Sequence, residues 1–221
     1  MWDNGWSLEA TMKTGIRLTI LAMLLSTLLA CQGIVSASSF HLVRWVDDGD
    51  TVVLTDGRRV RYTGINAPEV AHGDRPAERF GPEAKDFNWK LVFGKKVRLE
   101  FDREKRDHYG RLLVYLFLQD GTFVNAELVK GGRAYCLFRR PNIKYDSLFL
   151  RLQREAMAKR VGMWEEFPDK RGPYLGNSYS RRFHQMACSF GKATAAKHRI
   201  TFKTKHAAFW AGYSPCKRCN P

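Results

Sequence analysis

Leu42-Val-Arg-Trp-Val-Asp-Asp-Gly-Asp-Thr-Val-Val-Leu-Thr-Asp-Gly-Arg-Arg-Val-Arg-Tyr-Thr63 is the stretch that decides the fold of this chain. Residues 42–46 and 51–54 are short runs rich in β-branched and apolar residues, and Asp47-Asp-Gly-Asp50 between them has the composition of a tight turn. Thr55-Asp-Gly57 turns the chain again into 59–63, so three antiparallel strands arise in succession. Further on, 96–101 and 112–118 read as two more strands. Pro82 followed by Glu83 to Phe93 and Gly94 predicts a helix with its stop, with Phe87 and Leu91 on one face. Val124 to Lys130, closed by Gly131 and Gly132, predicts a short helix. Leu148, Leu152 and Ala156 at i, i+4 and i+8 predict a longer one over 145–161 that Gly162 terminates.

Five strands with a helix between the third and the fourth describe an OB-type barrel, a partly open Greek-key architecture suited to oligonucleotides. The expected fold class is therefore α+β: a five-stranded OB-type barrel with about three helices, to which a small C-terminal module is added.

The formal net charge is +15. It is concentrated: from Lys170 to Pro221 there are eleven Lys or Arg and no acid, whereas residues 1–37 balance Lys13 and Arg17 against Asp3 and Glu9. A polyanion such as DNA or RNA is the natural partner of that field, because Lys and Arg on phosphates release counterions. A solvated basic surface and attraction to a membrane surface are the other readings of charge alone. No protein partner is implied.

Lys13 and Arg17 precede an apolar run over 18–30 that is too short to cross a bilayer comfortably but suits a signal-peptide core. Export is expected, periplasmic or secreted, with residues 1–37 as the signal and Met12 as a cleaner start than Met1. Cleavage after Val35-Ser-Ala37 competes with a lipoprotein signal at Leu28-Leu-Ala-Cys31, whose acylated Cys31 would be the only membrane attachment. An uncleaved anchor is the third option.

The chemistry sits around the opening stretch. Arg61 and Glu69 flank Tyr62-Thr-Gly-Ile-Asn-Ala-Pro68, and Arg111 follows in Asp107-His-Tyr-Gly-Arg111. Two guanidinium groups and one carboxylate suit phosphodiester hydrolysis, since a planar guanidinium meets two equatorial oxygens of a pentacoordinate phosphorus at once. The acidic turn at Asp48 and Asp50 suggests a bound metal. Asp-Gly-Asp alone is a common turn and a lone surface Arg usually a solvated charge; the joint occurrence in this order carries the reading. His72 and His108 are assigned no role.

With Phe80-Gly-Pro-Glu-Ala84 and Val124-Asn-Ala-Glu-Leu-Val129, these motifs make the segment from about 41 to 164 resemble the thermonuclease family, the staphylococcal-nuclease-like OB-fold enzymes. The resemblance implies cleavage of DNA and RNA to 3′-phosphate ends, with Glu69 activating water and Arg61 and Arg111 holding the phosphate. It also implies calcium bound by Asp50, by position 66 and by the backbone carbonyl of Ala67. Asp48 reads as a residue that shapes the turn, an extra metal carboxylate being the alternative. Asn66 departs from the family's aspartate and offers a neutral oxygen where a hard cation prefers charge. A non-catalytic nucleic-acid-binding OB module, its metal site decayed at Asn66, is the rival reading.

The barrel domain is expected over 38–168, followed by a linker over 169–180 rich in Gly, Pro, Asn and Ser. In 181–221, His184-x₃-Cys188 and Cys216-x₂-Cys219, with 27 residues between the pairs, have the pattern of a four-ligand zinc site. This end resembles the zinc-binding domain of Ada-type DNA-repair proteins. His184 stands where that family has its methyl-accepting cysteine, so a zinc-stapled fold is implied rather than methyl transfer. DNA contact is expected from Arg181, Arg182, Lys217 and Arg218. Disulfides among Cys136, Cys188, Cys216 and Cys219 are the alternative for an exported chain, and Cys136 on its own reads as a buried small residue.

Overall fold

Strand β1 (Phe40–Asp48) does not alternate strictly: Val43 and Val46 are buried while Arg44 and Trp45 between them are exposed. Register shifts in its pairing with β2 (Thr51–Leu54), between Val43 and Trp45 and again between Val46 and Asp48, produce this by bulging the strand and turning both valines inward. The computed structural model in which this is seen describes residues 39–169 and 171–221. The expected signal segment, with Cys31 and both cleavage sites, lies outside the described residues.

β3 (Arg59–Tyr62) pairs antiparallel with β2 and parallel with β6 (Leu112–Leu118), which is apolar along its whole length. β5 (Lys96–Arg106) pairs with β6 and returns to β1, giving the closed order β1-β2-β3-β6-β5. The closure is short, since only Phe40 to Leu42 meet Lys96 to Arg98. A two-stranded ribbon joins β4 (Ile65–Asn66) to β7 (Tyr135–Cys136) beside the barrel.

Three longer helices accompany the barrel: α1 (Gly81–Val92), α2 (Val124–Lys130) and α3 (Asp146–Ala158). The third is shorter than its periodicity suggests. Arg160 adopts the left-handed turn (φ 54°) that was expected of a glycine, and Gly162 opens a 3₁₀ turn over Gly162–Trp164.

The expected linker is not a linker. Residues 171–177 form β8 (Arg171–Asn177), which pairs with β9 (Arg182–Gln185) and β10 (Arg199–Thr204). With β11 (Ser214–Pro215) they make a four-stranded sheet in the order β10-β8-β9-β11, accompanied by two short helices, α4 (Ser189–Lys192) and α5 (Lys205–Trp210). The Gly and Pro residues that suggest a flexible connection sit in a strand whose partners lie up to 33 residues downstream.

This sheet shares a core with the barrel. Met157 and Trp164 pack in one cluster with Tyr174, Phe183, Phe209 and Tyr213. Phe209 is its hub, with ring centroids 5.3 Å from Tyr135, 5.2 Å from Trp164 and 5.3 Å from Phe183. Buried Gln153 on α3 bridges the two parts: its Oε1 accepts from Cys136 N (2.7 Å) and its Nε2 donates to the Phe209 carbonyl. Gln153→Leu would leave the buried Cys136 N–H without its acceptor, while the Phe209 carbonyl keeps Gly212 N (2.9 Å), an expected loss of about 1 to 3 kcal/mol. Chemical denaturation measures it, and an unchanged midpoint would show that the bridge carries no stability.

Candidate active site

Asp50 opens β2 from the Asp-Gly-Asp turn and is 4 % exposed. Its Oδ2 accepts from Ala67 N (2.6 Å) and pairs with Arg61 Nη2 (2.9 Å), and Thr51 Oγ1 donates to its Oδ1 (3.2 Å). Asp48 Oδ1 accepts from Asp50 N (2.8 Å), which draws the second carboxylate of the turn alongside. Burial drives the Asp50 pKa up to about 7 against the pull of Arg61, with Asp48 adding to the rise. Gly49 between Asp48 and Asp50 is required by space, since a Cβ there would lie 2.5 Å from that of Ala67.

Arg61 extends from β3 and is nearly enclosed, its side chain 11 % exposed. Nη1 donates to the carbonyls of Tyr62 and Ile65, and Nη2 donates to Asn66 Oδ1 (3.0 Å) as well as pairing with Asp50. Asn66, buried on β4, donates through Nδ2 to the Ala67 carbonyl (2.8 Å) and to Tyr135 Oη (3.0 Å). Position 66 thus ties Arg61 to the carbonyl that the sequence resemblance assigns to the metal.

Arg111 lies at the end of the turn between β5 and β6. Asp107 accepts from its backbone N through Oδ1 (3.0 Å) and from its Nε through Oδ2 (2.8 Å), which fixes the guanidinium and leaves Nη1 for a ligand. Burial alone would raise the Asp107 pKa; the bonds and charge of Arg111 outweigh it and lower it. Asp107 is a positioning residue that the sequence reading passed over inside a motif it had singled out. Only its i, i+4 spacing from Arg111 signals the role.

Glu69 lies on the loop after β4, its side chain 41 % exposed, with its backbone N donating to Glu78 Oε2 (3.1 Å). A Cβ at Gly81 would collide with the Glu69 carbonyl, so only glycine lets the start of α1 press against this loop. Glu69 Oε1 accepts from Lys217 Nζ at 2.9 Å, across 148 positions of sequence. Burial raises the Glu69 pKa, but the Lys217 bond and charge, with Arg61 and His72, outweigh it and hold the carboxyl below its usual range.

Arg61, Asn66, Asp107 and Arg111 line one cavity of about 280 Å³, together with Tyr109, Arg139, Arg182 and Lys217. Glu69 lines an adjoining cavity of about 310 Å³ with His72, Glu78 and Tyr135. The trio is therefore distributed over two cavities that share Asn66 and Lys217 as lining residues. His108 stacks beside Tyr109.

In the C-terminal sheet the other predicted ligand set comes together. The ligand atoms of His184, Cys188, Cys216 and Cys219 all lie within 4.8 Å of one another. Cys188 Sγ is 3.6 Å from His184 Nδ1, and Gln185 N donates to Cys219 Sγ (3.4 Å). Burial, then Arg182, lowers the His184 pKa, which keeps the imidazole neutral as a metal ligand must be. The four cysteines of the described residues are free thiols, Cys136 being buried away from this cluster, and no disulfide joins them.

Comparison with known proteins agrees with the barrel and its motifs. The family model for staphylococcal nuclease homologues matches residues 59–166. The thermonuclease of Staphylococcus intermedius is 41 % identical over 128 residues, covering 57 % of this chain and 76 % of that protein. That of Staphylococcus hyicus is 36 % identical over 129 residues, covering 57 % and 75 %. The SPbeta prophage-derived endonuclease YokF of Bacillus subtilis (strain 168) is 32 % identical over 162 residues, covering 71 % and 53 %. The chain belongs to the family of staphylococcal nuclease homologues, and it is a nuclease that hydrolyses the phosphodiester bonds of nucleic acid rather than a non-catalytic OB module.

Proposed function

We propose that the protein is an exported, calcium-dependent nuclease that cuts DNA and RNA to 3′-phosphate ends, with Glu69, Arg61 and Arg111 as its reacting groups and a C-terminal zinc module that assists binding. The observation that carries the reading is the meeting of two oriented guanidinium groups and one partly exposed carboxylate at adjoining cavities, beside the buried Asp50 and the half-buried Asp48. Glu69 takes a proton from the attacking water as its oxygen bonds to phosphorus, the P–O5′ bond breaks and the departing 5′-oxygen takes up a proton from solvent, while Arg61 and Arg111 stabilise the negative charge that gathers on the equatorial oxygens. Arg111 presents Nη1 directly, whereas a phosphate reaches Arg61 by displacing Asn66 or Asp50 from Nη2.

The residues present fit a hard divalent cation. Asp50, Asp48, Asn66 Oδ1 and the Ala67 carbonyl offer oxygen only, the donor type that a hard divalent cation takes. Calcium held there would supply Lewis-acid stabilisation of the charge on the phosphate. Asn66 weakens the set, because its oxygen is neutral and its Nδ2 occupies the Ala67 carbonyl. Asn66→Asp is therefore expected to tighten calcium binding by about tenfold in calorimetric titration; unchanged or weaker affinity would remove position 66 from the ligand set.

His184, Cys188, Cys216 and Cys219 suit a closed, structural zinc site with one nitrogen and three sulfur ligands. The module also resembles, in its ligand spacing, the zinc-binding domain of Ada-type DNA-repair proteins. Export rests on the amino-terminal sequence; among the described residues no helix is long and apolar enough to cross a membrane. The test of the enzyme reading is cleavage of single-stranded DNA and of RNA by the purified protein with calcium and with a chelator, together with zinc analysis under reducing conditions. Equal cleavage in both conditions would remove calcium from the reading, and a folded, zinc-free, disulfide-bonded protein would remove zinc.

A further inference from the structure

We propose that the Cys216–Cys219 hairpin is a wall of the nuclease active site and that Lys217, which it carries, binds a backbone phosphate of the substrate strand. The inference rests on the zinc reading only for what holds the hairpin in place. Its geometry is independent of that reading.

Lys217 is the residue of the C-terminal module that touches the reacting carboxylate: its Nζ lies 2.9 Å from Glu69 Oε1. It lines both the Arg61–Arg111 cavity and the Glu69 cavity, so it stands where a strand running between them must pass. Arg182 of β9 lines the first cavity as well, which makes the module the source of two of the cations around it.

The ion pair with Glu69 is exchangeable. Both side chains are substantially exposed, 69 % for Lys217 and 41 % for Glu69, and surface pairs of that kind hold weakly. Residues 170–221 contain no Asp or Glu side chain, and the carboxylate that pairs with Lys217 is Glu69 of the barrel. In the free protein it leans on Glu69. A phosphodiester presents a competing anionic acceptor at the same place, and because the exposed pair with Glu69 is weak, Lys217 transfers to it and Glu69 is released to the attacking water.

The backbone beneath Lys217 is held tightly. Cys216 N donates to the Phe183 carbonyl (2.9 Å), Asn220 N donates to the Cys216 carbonyl (3.0 Å), and Gln185 N donates to Cys219 Sγ (3.4 Å). The four-ligand cluster brackets the lysine on both sides. A metal joining those ligands fixes where Lys217 points, and its loss lets the hairpin swing away from the barrel without touching Glu69, Arg61 or Arg111.

The experiment is steady-state cleavage of single-stranded DNA by the intact protein in excess calcium, across a salt series, for wild type, Lys217→Ala and Lys217→Arg. Lys217→Ala is expected to raise KM by about fivefold, leave kcat little changed, and make the fall of log kcat/KM with log salt shallower by about 0.7. Lys217→Arg restores both KM and slope. An unchanged KM and slope, or a rise in kcat showing that the lysine merely blocks Glu69, overturns the proposal. Cys216→Ser, its zinc content measured directly, is expected to reproduce the KM rise and to add nothing to Lys217→Ala; additive effects overturn the clamp. If wild type holds no zinc and Lys217→Ala still raises KM, the zinc reading fails while the role of Lys217 stands. Bound zinc with a silent Lys217→Ala sinks the inference alone.

Discussion

Glu69→Gln is expected to lower kcat on single-stranded DNA by about 10² to 10⁴-fold, the usual worth of a positioned general base. The substitution keeps shape and hydrogen bonding and removes only the capacity to take a proton. KM is expected to stay level or fall slightly, because Lys217 loses its carboxylate partner in the free protein and becomes more available to phosphate. The pH profile carries the sign of the effect. With its pKa held below the usual range, Glu69 is ionised at neutral pH, and wild-type activity is lost only as pH falls through that depressed value. In Glu69→Gln that acid limb disappears along with most of the rate. Activity within a few-fold of wild type would show that the attacking water is activated elsewhere, with Glu78 or His72 as the neighbours to examine.

The barrel was legible because its signals are local. The two turns at Asp47 to Asp50 and Thr55 to Gly57 set up β1, β2 and β3, and Pro82 with Gly94 brackets α1 to within a residue or two. What escaped depends on distance in sequence. Residues 171–177 read as a linker because Gly172, Pro173 and Gly176 are poor strand formers; they become β8 only because β9 and β10 pair with both its edges. α3 ends early because Arg160 tolerates a left-handed turn that sequence rules reserve for glycine. At the site, the sequence indicated both groups of residues, the Arg61–Glu69–Arg111 set and the His184–Cys219 set. It could not indicate that they are neighbours. Lys217 was read as one cation among several in a basic tail, and its pairing with Glu69 exists only because Phe209 and Gln153 dock that tail onto the barrel.

Arg61 and Arg111 look equivalent in sequence, yet their surroundings make their lysine variants behave differently. Either Arg→Lys change removes a planar guanidinium held in place toward the phosphate and is expected to cost about 10² to 10³-fold in kcat on single-stranded DNA. Arg61→Lys has a second cost. Arg61 satisfies the Tyr62 and Ile65 carbonyls, Asn66 Oδ1 and the enclosed Asp50 carboxylate, and an ammonium cannot reach all four. Removing one partner of an enclosed pair typically costs about 3 to 5 kcal/mol; a lysine that keeps some charge near Asp50 places Arg61→Lys toward the lower end. Arg111 is more open, and its buried partner Asp107 keeps the backbone N–H donors of Tyr109 and Arg111, so Arg111→Lys is expected to lose less stability than Arg61→Lys. Calcium discriminates further: by occupying Asp50 it would replace the charge that Arg61→Lys removes, so added calcium should recover stability in that variant while leaving its kcat low. Two variants with matched kinetic losses, one more destabilised and rescued thermally by calcium, the other less destabilised and not rescued, would be the signature of one arginine that builds the metal site and another that serves the phosphate alone. Equal thermal stability of the two would mean that the Asp50 pair contributes nothing to the fold.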